Sequence, residues 1–155
     1  MLLVPFDIDG QAYAIPARRV IEVVARVALR TLPGAPPAVL GAMDYRGRSV
    51  PVLDLARVVV DRPTPAQLSA RIVIIEVEVT RGERVMMGLC VVGATDVIST
   101  DGARIERAGV NQPGAPYLGE LVRGLASHPT LQLVDPDRLL PRALRMLFAG
   151  REGAA

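Results

Sequence analysis

The chain has 155 residues, of which 50% are hydrophobic and 22% are charged, so it can bury the core of one domain or of two small packed units. Its 18 basic and 16 acidic residues are scattered and only 3% are aromatic, which excludes a phosphate-tracking cluster or a base-stacking platform for nucleic acid. Neither a signal peptide nor a run of about 18 apolar residues occurs, so we predict a cytoplasmic protein without membrane insertion.

The N-terminal segment has the pattern of a hairpin followed by a third strand. β-Branched and apolar residues predict strands at Leu2–Ile8 and Ala12–Ile15, joined by a tight turn at Asp9-Gly10. Pro16 is followed by a short helical turn at Ala17–Arg19. A further strand is predicted from Val20 towards Leu29.

A second hairpin is predicted in the next segment. Strands at Val39–Tyr45 and Ser49–Leu53 flank a turn at Arg46-Gly47. Asp54 is placed to cap a short helix, Leu55–Val60, by accepting hydrogen bonds from its free backbone N–H groups.

The second half repeats this style after a proline-containing linker at residues 62–65. Strands are predicted near 71–79, 85–92, 94–99, 118–123 and 131–134. Asp135 and Pro136 are a typical helix start and predict helical pieces at Pro136–Leu140 and Arg142–Phe148. Residues 151–155 are predicted to form a disordered tail.

About ten short strands in two groups of five, with frequent turns between them, predict an all-β fold of the barrel or sandwich type. The C-terminal helical face, rich in leucine, is expected to pack back on this β structure.

Residues suited to catalysis are sparse. His128, the single histidine, lies in a polar turn, and Cys90, the single cysteine, lies in an apolar run typical of a core. Carboxylate pairs occur at Asp7/Asp9 and Asp135/Asp137, where turn and capping roles explain them. We therefore predict no catalytic residues, no metal site and no cofactor.

The stretch from Gly41 to Leu55 is the most informative one. Gly47 suits a turn with positive φ, which would direct Arg46 outward at the hairpin tip. Pro51 lacks an N–H, so its strand must be an edge or carry a bulge, and edges are where other chains attach. Taken alone, Arg46 is most simply a solvated turn arginine.

The residues from Arg46-Gly47 through Pro51-Val52 to Asp54-Leu55 resemble the Arg-Gly-x-x-x-Pro-Val-x-Asp-Leu signature of CheW-type chemotaxis coupling proteins. Val20–Val23 is similar to the family's Val-x-Glu-Val element, and Gly88–Val97 to its glycine-initiated strand pair. The resemblance covers nearly the whole chain in the right order.

Two features depart from the family pattern. Gly93 stands where family members often carry aspartate, and family members have a longer first strand. The segment 109–119 resembles the coupling proteins of Wsp-type surface-sensing systems more than those of flagellar chemotaxis.

The resemblance implies a domain over residues 1–150 made of two packed five-stranded β-barrels with a short C-terminal helix. The sub-barrels would span about 15–65 and 66–135, with the N-terminal strand and the C-terminal helix crossing over. It also implies a non-enzymatic adaptor that links the cytoplasmic tips of chemoreceptors to the regulatory domain of a CheA-type histidine kinase.

Residues associated with receptor binding in the family match this chain at Val20, Glu22, Val23, Gly41 and Arg46. The groove between the barrels would accept the apolar side of a receptor hairpin, with Arg46 at its polar rim. The kinase-facing residues cannot be assigned in this way.

Two alternatives remain open from the sequence. The chain could be a dephosphorylating or phosphorylation-sensing variant, which would need an acidic pocket that the residues do not suggest. It could also be a competing regulatory domain of the same fold that modulates or silences arrays, which the sequence does not distinguish from a coupler.

Overall fold

The computed structural model describes residues 1–107, 113–140 and 145. Its strands are β1 (Leu2–Ile8), β2 (Gln11–Pro16), β3 (Val20–Ala25), β4 (Val39–Tyr45), β5 (Arg48–Asp54), β6 (Ala70–Thr80), β7 (Glu83–Gly93), β8 (Ile98–Ser99), β9 (Arg104–Glu106), β10 (Leu118–Arg123) and β11 (Thr130–Val134). Helix α1 spans Leu55–Val60, and 3-10 turns span Ala17–Arg19 and Pro136–Arg138. The all-β prediction is confirmed.

The strands fall into two groups according to their backbone pairing. In the first group the order is β3-β6-β7-β5-β4, and in the second it is β8-β1-β2-β11-β10-β9. The groups join where Phe6 and Asp7 of β1 pair with Gly93 and Val92 of β7. Backbone pairing closes neither group into a complete barrel within the described residues.

Group membership does not follow chain order. The N-terminal strands β1 and β2 belong to the second group, whereas β6 and β7 belong to the first. The pairings of β3 with β6 and of β5 with β7 cross residue 65. Each hydrogen-bonded group thus draws strands from both sides of residue 65, and the sub-barrel spans of about 15–65 and 66–135 stay a prediction.

Both groups contribute to one hydrophobic core. Val4 and Phe6 from β1 belong to the same buried cluster as Ile75 from β6 and Met87 and Leu89 from β7. Full burial of an aliphatic side chain of this size stabilises a fold by roughly 1.5–3 kcal/mol. A shared core of this kind fixes the two groups against each other.

The hairpin of β4 and β5 has the predicted two-residue turn. Arg46 and Gly47 both have positive φ, at 48° and 78°, as a type I′ turn requires. Pro51 pairs with Ala42 of β4, while pairing of β5 with β7 starts only at Val52. The missing N–H of Pro51 therefore lies where β5 is an edge, as predicted.

The predicted capping role of Asp54 is wrong. Its carboxylate makes no hydrogen bond to the start of α1. It accepts instead from the backbone N–H of Thr64 at 3.0 Å and lies 2.5 Å from the Thr64 hydroxyl. Asp54 is buried, at 2% exposure, so these contacts satisfy a carboxylate that water cannot reach and tie the linker onto β5.

Two strand predictions differ from the structure, and one further strand is present. The strand from Val20 ends at Ala25 rather than near Leu29, and the strand predicted over 94–99 is reduced to Ile98–Ser99. Strand β9 was not predicted, because Ile105 is flanked by charged residues and carries no alternating apolar pattern. The described residues thus contain eleven strands rather than ten.

The predicted helix start after β11 is confirmed in part. Asp135 caps the turn by accepting from the backbone N–H of Asp137 at 3.0 Å, but the turn is a 3-10 turn that ends at Arg138. The predicted piece Arg142–Phe148, except for residue 145, and the predicted tail 151–155 lie outside the described residues. No helix in the described part of the chain is long and apolar enough to cross a membrane.

Candidate partner-binding groove

A gap separates β3 from β4, the two outer strands of the first group, and three side chains bridge it. Tyr45 donates its hydroxyl hydrogen bond to Glu22 Oε1 at 2.6 Å, and Arg46 Nη2 donates to the same oxygen at 3.0 Å. The Arg46 guanidinium carbon lies 5.2 Å from the centre of the Tyr45 ring, within cation–π range. We call Glu22, Tyr45 and Arg46 the seam cluster.

Arg46 and Glu22 are the exposed members of the seam cluster, whereas Tyr45 is buried. The side chain of Arg46 is 74% exposed and that of Glu22 is 40% exposed. The hydrogen bond to Glu22 raises the pKa of Tyr45 above its ordinary value of 10.0. Because exposed ion pairs contribute about 0–1 kcal/mol, Arg46 can exchange Glu22 for another carboxylate at little cost.

Gly41 has a structural reason to be glycine. Its φ is +149°, and an added Cβ would lie 2.4 Å from the backbone oxygen of Arg30. Arg30 pairs with Ala42 next to it, so the chain after β3 is held against β4 at this point. Gly41 therefore permits the close approach of two backbones beside the seam cluster.

The two valines of β3 for which the resemblance implies receptor binding face inward. Val20 and Val23 are half-buried and pack against the shared core. Ile21, between them, is 41% exposed and lies where the pairing of β3 with β6 shifts register. The bulge turns Ile21 outward, so the exposed apolar residue of this strand is one that the sequence reasoning missed.

A groove of about 770 Å³ lies between the two strand groups. Apolar side chains from both groups line it, among them Pro16, Ile21 and Leu133. Its lining also carries the charged residues Arg18, Glu76, Arg84 and Glu120. Since Ile21 lines the groove and the next residue, Glu22, holds Arg46, strand β3 connects the groove to the seam cluster.

Two of the residues that line the groove form an ion pair. Arg19 Nη2 lies 2.7 Å from Asp137 Oδ1, and Arg19 Nη1 donates to Asp137 Oδ2 at 3.1 Å. The same guanidinium donates to the Glu76 carbonyl at 2.9 Å, and the Glu78 N–H donates to Asp137 at 3.0 Å. We call the pair of Arg19 and Asp137 the clasp.

The clasp carboxylate is held ionised. Partial burial of Asp137 acts to raise its pKa, but the hydrogen bonds from Arg19 and from the Glu78 N–H outweigh it, and the pKa lies below the ordinary 3.8. Asp135 caps the turn, as predicted, and Asp137 in the same turn supplies the clasp carboxylate. No local pattern could have revealed the clasp, since its partners are separated by 118 residues.

The single cysteine and the single histidine lie in ordinary structural surroundings. Cys90 is buried, and burial raises the pKa of its thiol. His128 lies in a loop with its Nδ1 2.9 Å from the Ser127 hydroxyl. Among the residues with described positions, no three His, Cys, Asp or Glu side chains are grouped so as to hold a metal ion.

Two interleaved strand groups around one core, with an open groove between them, define an all-β domain. The profile of the CheW-like domain family matches residues 3–144. The chain belongs to the CheW-like domain family.

A solved structure supports the fold. The scaffolding protein TtCheW from Thermoanaerobacter tengcongensis superposes with a TM-score of 0.75 at 22% sequence identity, over 90% of this chain and 87% of that protein. A search among curated proteins finds no match to this chain.

Proposed function

We propose that this chain is a non-enzymatic adaptor that couples the cytoplasmic tips of methyl-accepting chemoreceptors to a CheA-type histidine kinase in a chemosensory array. The family match over residues 3–144 carries the proposal. The similarity to a scaffolding protein, and an exposed arginine beside a groove of mixed polarity, support it.

The receptor contact would combine the groove with the seam cluster. The apolar face of a receptor hairpin would pack on Ile21 and Leu133, which line the groove from opposite strand groups. Arg46 would leave Glu22 for a receptor carboxylate at the rim. The exchange is nearly neutral within the adaptor, because one exposed pair replaces another.

The remaining predicted receptor-site residues would act indirectly. Val20 and Val23 anchor β3 on the core, and Gly41 allows the close backbone approach beside the seam cluster. An interface centred on a few such anchors can stay below about 1,200 Å² and remain exchangeable, as transient signalling contacts do. The kinase-facing residues are not assigned by this proposal.

The test compares two arginines of the same hairpin. Arg46→Glu should abolish co-sedimentation with membranes that contain the receptor. The new carboxylate lies beside Glu22 and repels the receptor carboxylate that Arg46 would bind. Arg48→Glu makes the same charge change at an exposed residue outside the seam cluster and should bind normally. Circular dichroism should show an intact fold for both variants.

Equal binding by Arg46→Glu and the unchanged protein would contradict the proposed contact. A separate reconstitution distinguishes a coupler from a competing domain of the same fold. Adding the chain to receptor and kinase should raise receptor-controlled kinase activity. A fall in activity as the chain displaces an established coupler would favour the competing domain instead.

A further inference from the structure

We propose that the clasp residues Arg19 and Asp137 are positioning residues that set the width of the groove and thereby its affinity for the receptor tip. This inference rests on the proposed function, since it concerns the same groove. It assigns a role to two residues that the family motifs in the sequence did not single out.

The clasp joins parts of the chain from both strand groups. Asp137 follows β11 of the second group, and Glu76 and Glu78 belong to β6 of the first group. Arg19 lies in the 3-10 turn that carries the chain from β2 in one group to β3 in the other. One carboxylate and one guanidinium therefore fix three segments at the junction.

The position of the clasp links it to the walls of the groove. Arg19 lies two residues before Ile21, and Asp137 lies four residues after Leu133, and both of those apolar residues line the groove. A change in the separation of Arg19 and Asp137 would therefore move opposite walls. Side chains within the groove itself need not change for its width to change.

The clasp is also suited to hold a fixed separation. Two parallel N–H to oxygen bonds between a guanidinium and a carboxylate impose both distance and orientation. The Arg19 side chain is only 15% exposed, so water replaces a lost partner poorly. Backbone groups of β6 hold both members in place, which leaves few alternative arrangements.

The experiment measures groove geometry and receptor binding on the same variants. Spin labels at Ala25→Cys in β3 and Thr130→Cys in β11 report the distance between the two strand groups, since both sites are exposed. Cys90 can remain, because it is 1% exposed and resists labelling. Affinity is measured with a receptor hairpin fragment by calorimetry.

Two variants change the clasp while keeping its size. Arg19→Lys keeps the charge but loses the paired geometry, and Asp137→Asn keeps the shape but loses the charge. The control is Arg138→Ala, which removes an exposed arginine next to Asp137 that does not line the groove. We expect both clasp variants to widen the distance distribution and weaken receptor binding about tenfold, and the control to change neither.

Each result decides the inference. A wider distribution with unchanged affinity overturns the positioning role and leaves the proposed function intact. An unchanged distribution of spin-label distances shows that the clasp does not set the width of the groove. If both clasp variants lose their fold by circular dichroism, their role is general stability and the inference is wrong.

A protein with the native clasp that binds no receptor fragment contradicts the proposed function. In that case it also overturns the affinity part of the inference. The spin-label distances still decide whether the clasp holds the two strand groups together, so the two failures are distinguishable.

Discussion

The seam cluster and the clasp use the same chemistry in opposite settings. Each pairs an arginine with a carboxylate, and each lies beside β3. The side chains of Arg46 and Glu22 are 74% and 40% exposed, whereas those of Arg19 and Asp137 are 15% and 34% exposed. The two arginines differ most in exposure, so we expect Arg46 to exchange its partner more readily than Arg19.

The backbone contacts reinforce this difference. Only side chains form the hydrogen bonds of the seam cluster, so the exposed Arg46 can move without breaking a backbone hydrogen bond, whereas Tyr45 is held in the core. The clasp also bonds the carbonyl of Glu76 and the N–H of Glu78, and its loss would leave backbone groups of β6 without those partners.

The largest effect is expected from Asp137→Ala. We expect the free energy of unfolding to fall by about 2–3 kcal/mol, because hydrogen bonds to a charged group are lost and the mostly buried Arg19 keeps only the Glu76 carbonyl as a partner. Urea denaturation followed by circular dichroism measures the change. Arg138→Ala should stay within about 0.5 kcal/mol of the unchanged protein, and equal losses in both variants would erase the contrast between the two pairs.

Low pH offers a second test of the difference between the clasp and the seam cluster. The pKa of Asp137 is lower in the folded state than the ordinary 3.8, so its stabilisation is full above that value and is lost as the pH falls through the folded-state pKa. Urea midpoints compared from pH 5 downward should therefore fall less steeply in Asp137→Asn than in the unchanged protein. Parallel curves would show that the clasp carboxylate is not the group that titrates.

The smallest effect is expected in the seam cluster. Tyr45→Phe removes one hydrogen bond to Glu22 and should lower the free energy of unfolding by about 1 kcal/mol or less, since Glu22 keeps Arg46. Tyr13→Phe is the matched control, because Tyr13 has the same 7% exposure as Tyr45 and its ring stacks on Phe6, outside the seam cluster. Thermal melting of the two variants measures the difference. A loss of stability in Tyr45→Phe as large as that in Asp137→Ala would show that the seam cluster stabilises the fold as much as the clasp does.

Most of the fold could be predicted from short-range patterns in the sequence. The alternation of β6 and β7, the turn at Arg46-Gly47 and the edge position of Pro51 all follow from a few neighbouring residues. Asp54 was misassigned because helix starts also favour aspartate, and its actual partner Thr64 becomes close only through tertiary packing. A residue whose local role is plausible can still be used elsewhere.

The candidate site was less accessible to sequence reasoning for the same reason. The family motif points to Glu22 and Arg46, but nothing in it shows that they contact each other across a gap between strands. Ile21 became exposed through a bulge that no apolar pattern encodes. Arg19 and Asp137 meet only because the last described strand returns to the first hairpin.

That return has a consequence for how the protein is made. Gln132 of β11 pairs in parallel with Tyr13 of β2, so the first hairpin has no neighbour on that side until almost the whole chain exists. At ribosomal rates of 5–20 residues per second, the wait is on the order of ten seconds. During this wait the edge of β2 is open to pairing with other nascent chains. A chaperone that covers this edge before Gln132 is made would therefore have its greatest influence on the yield of folded protein.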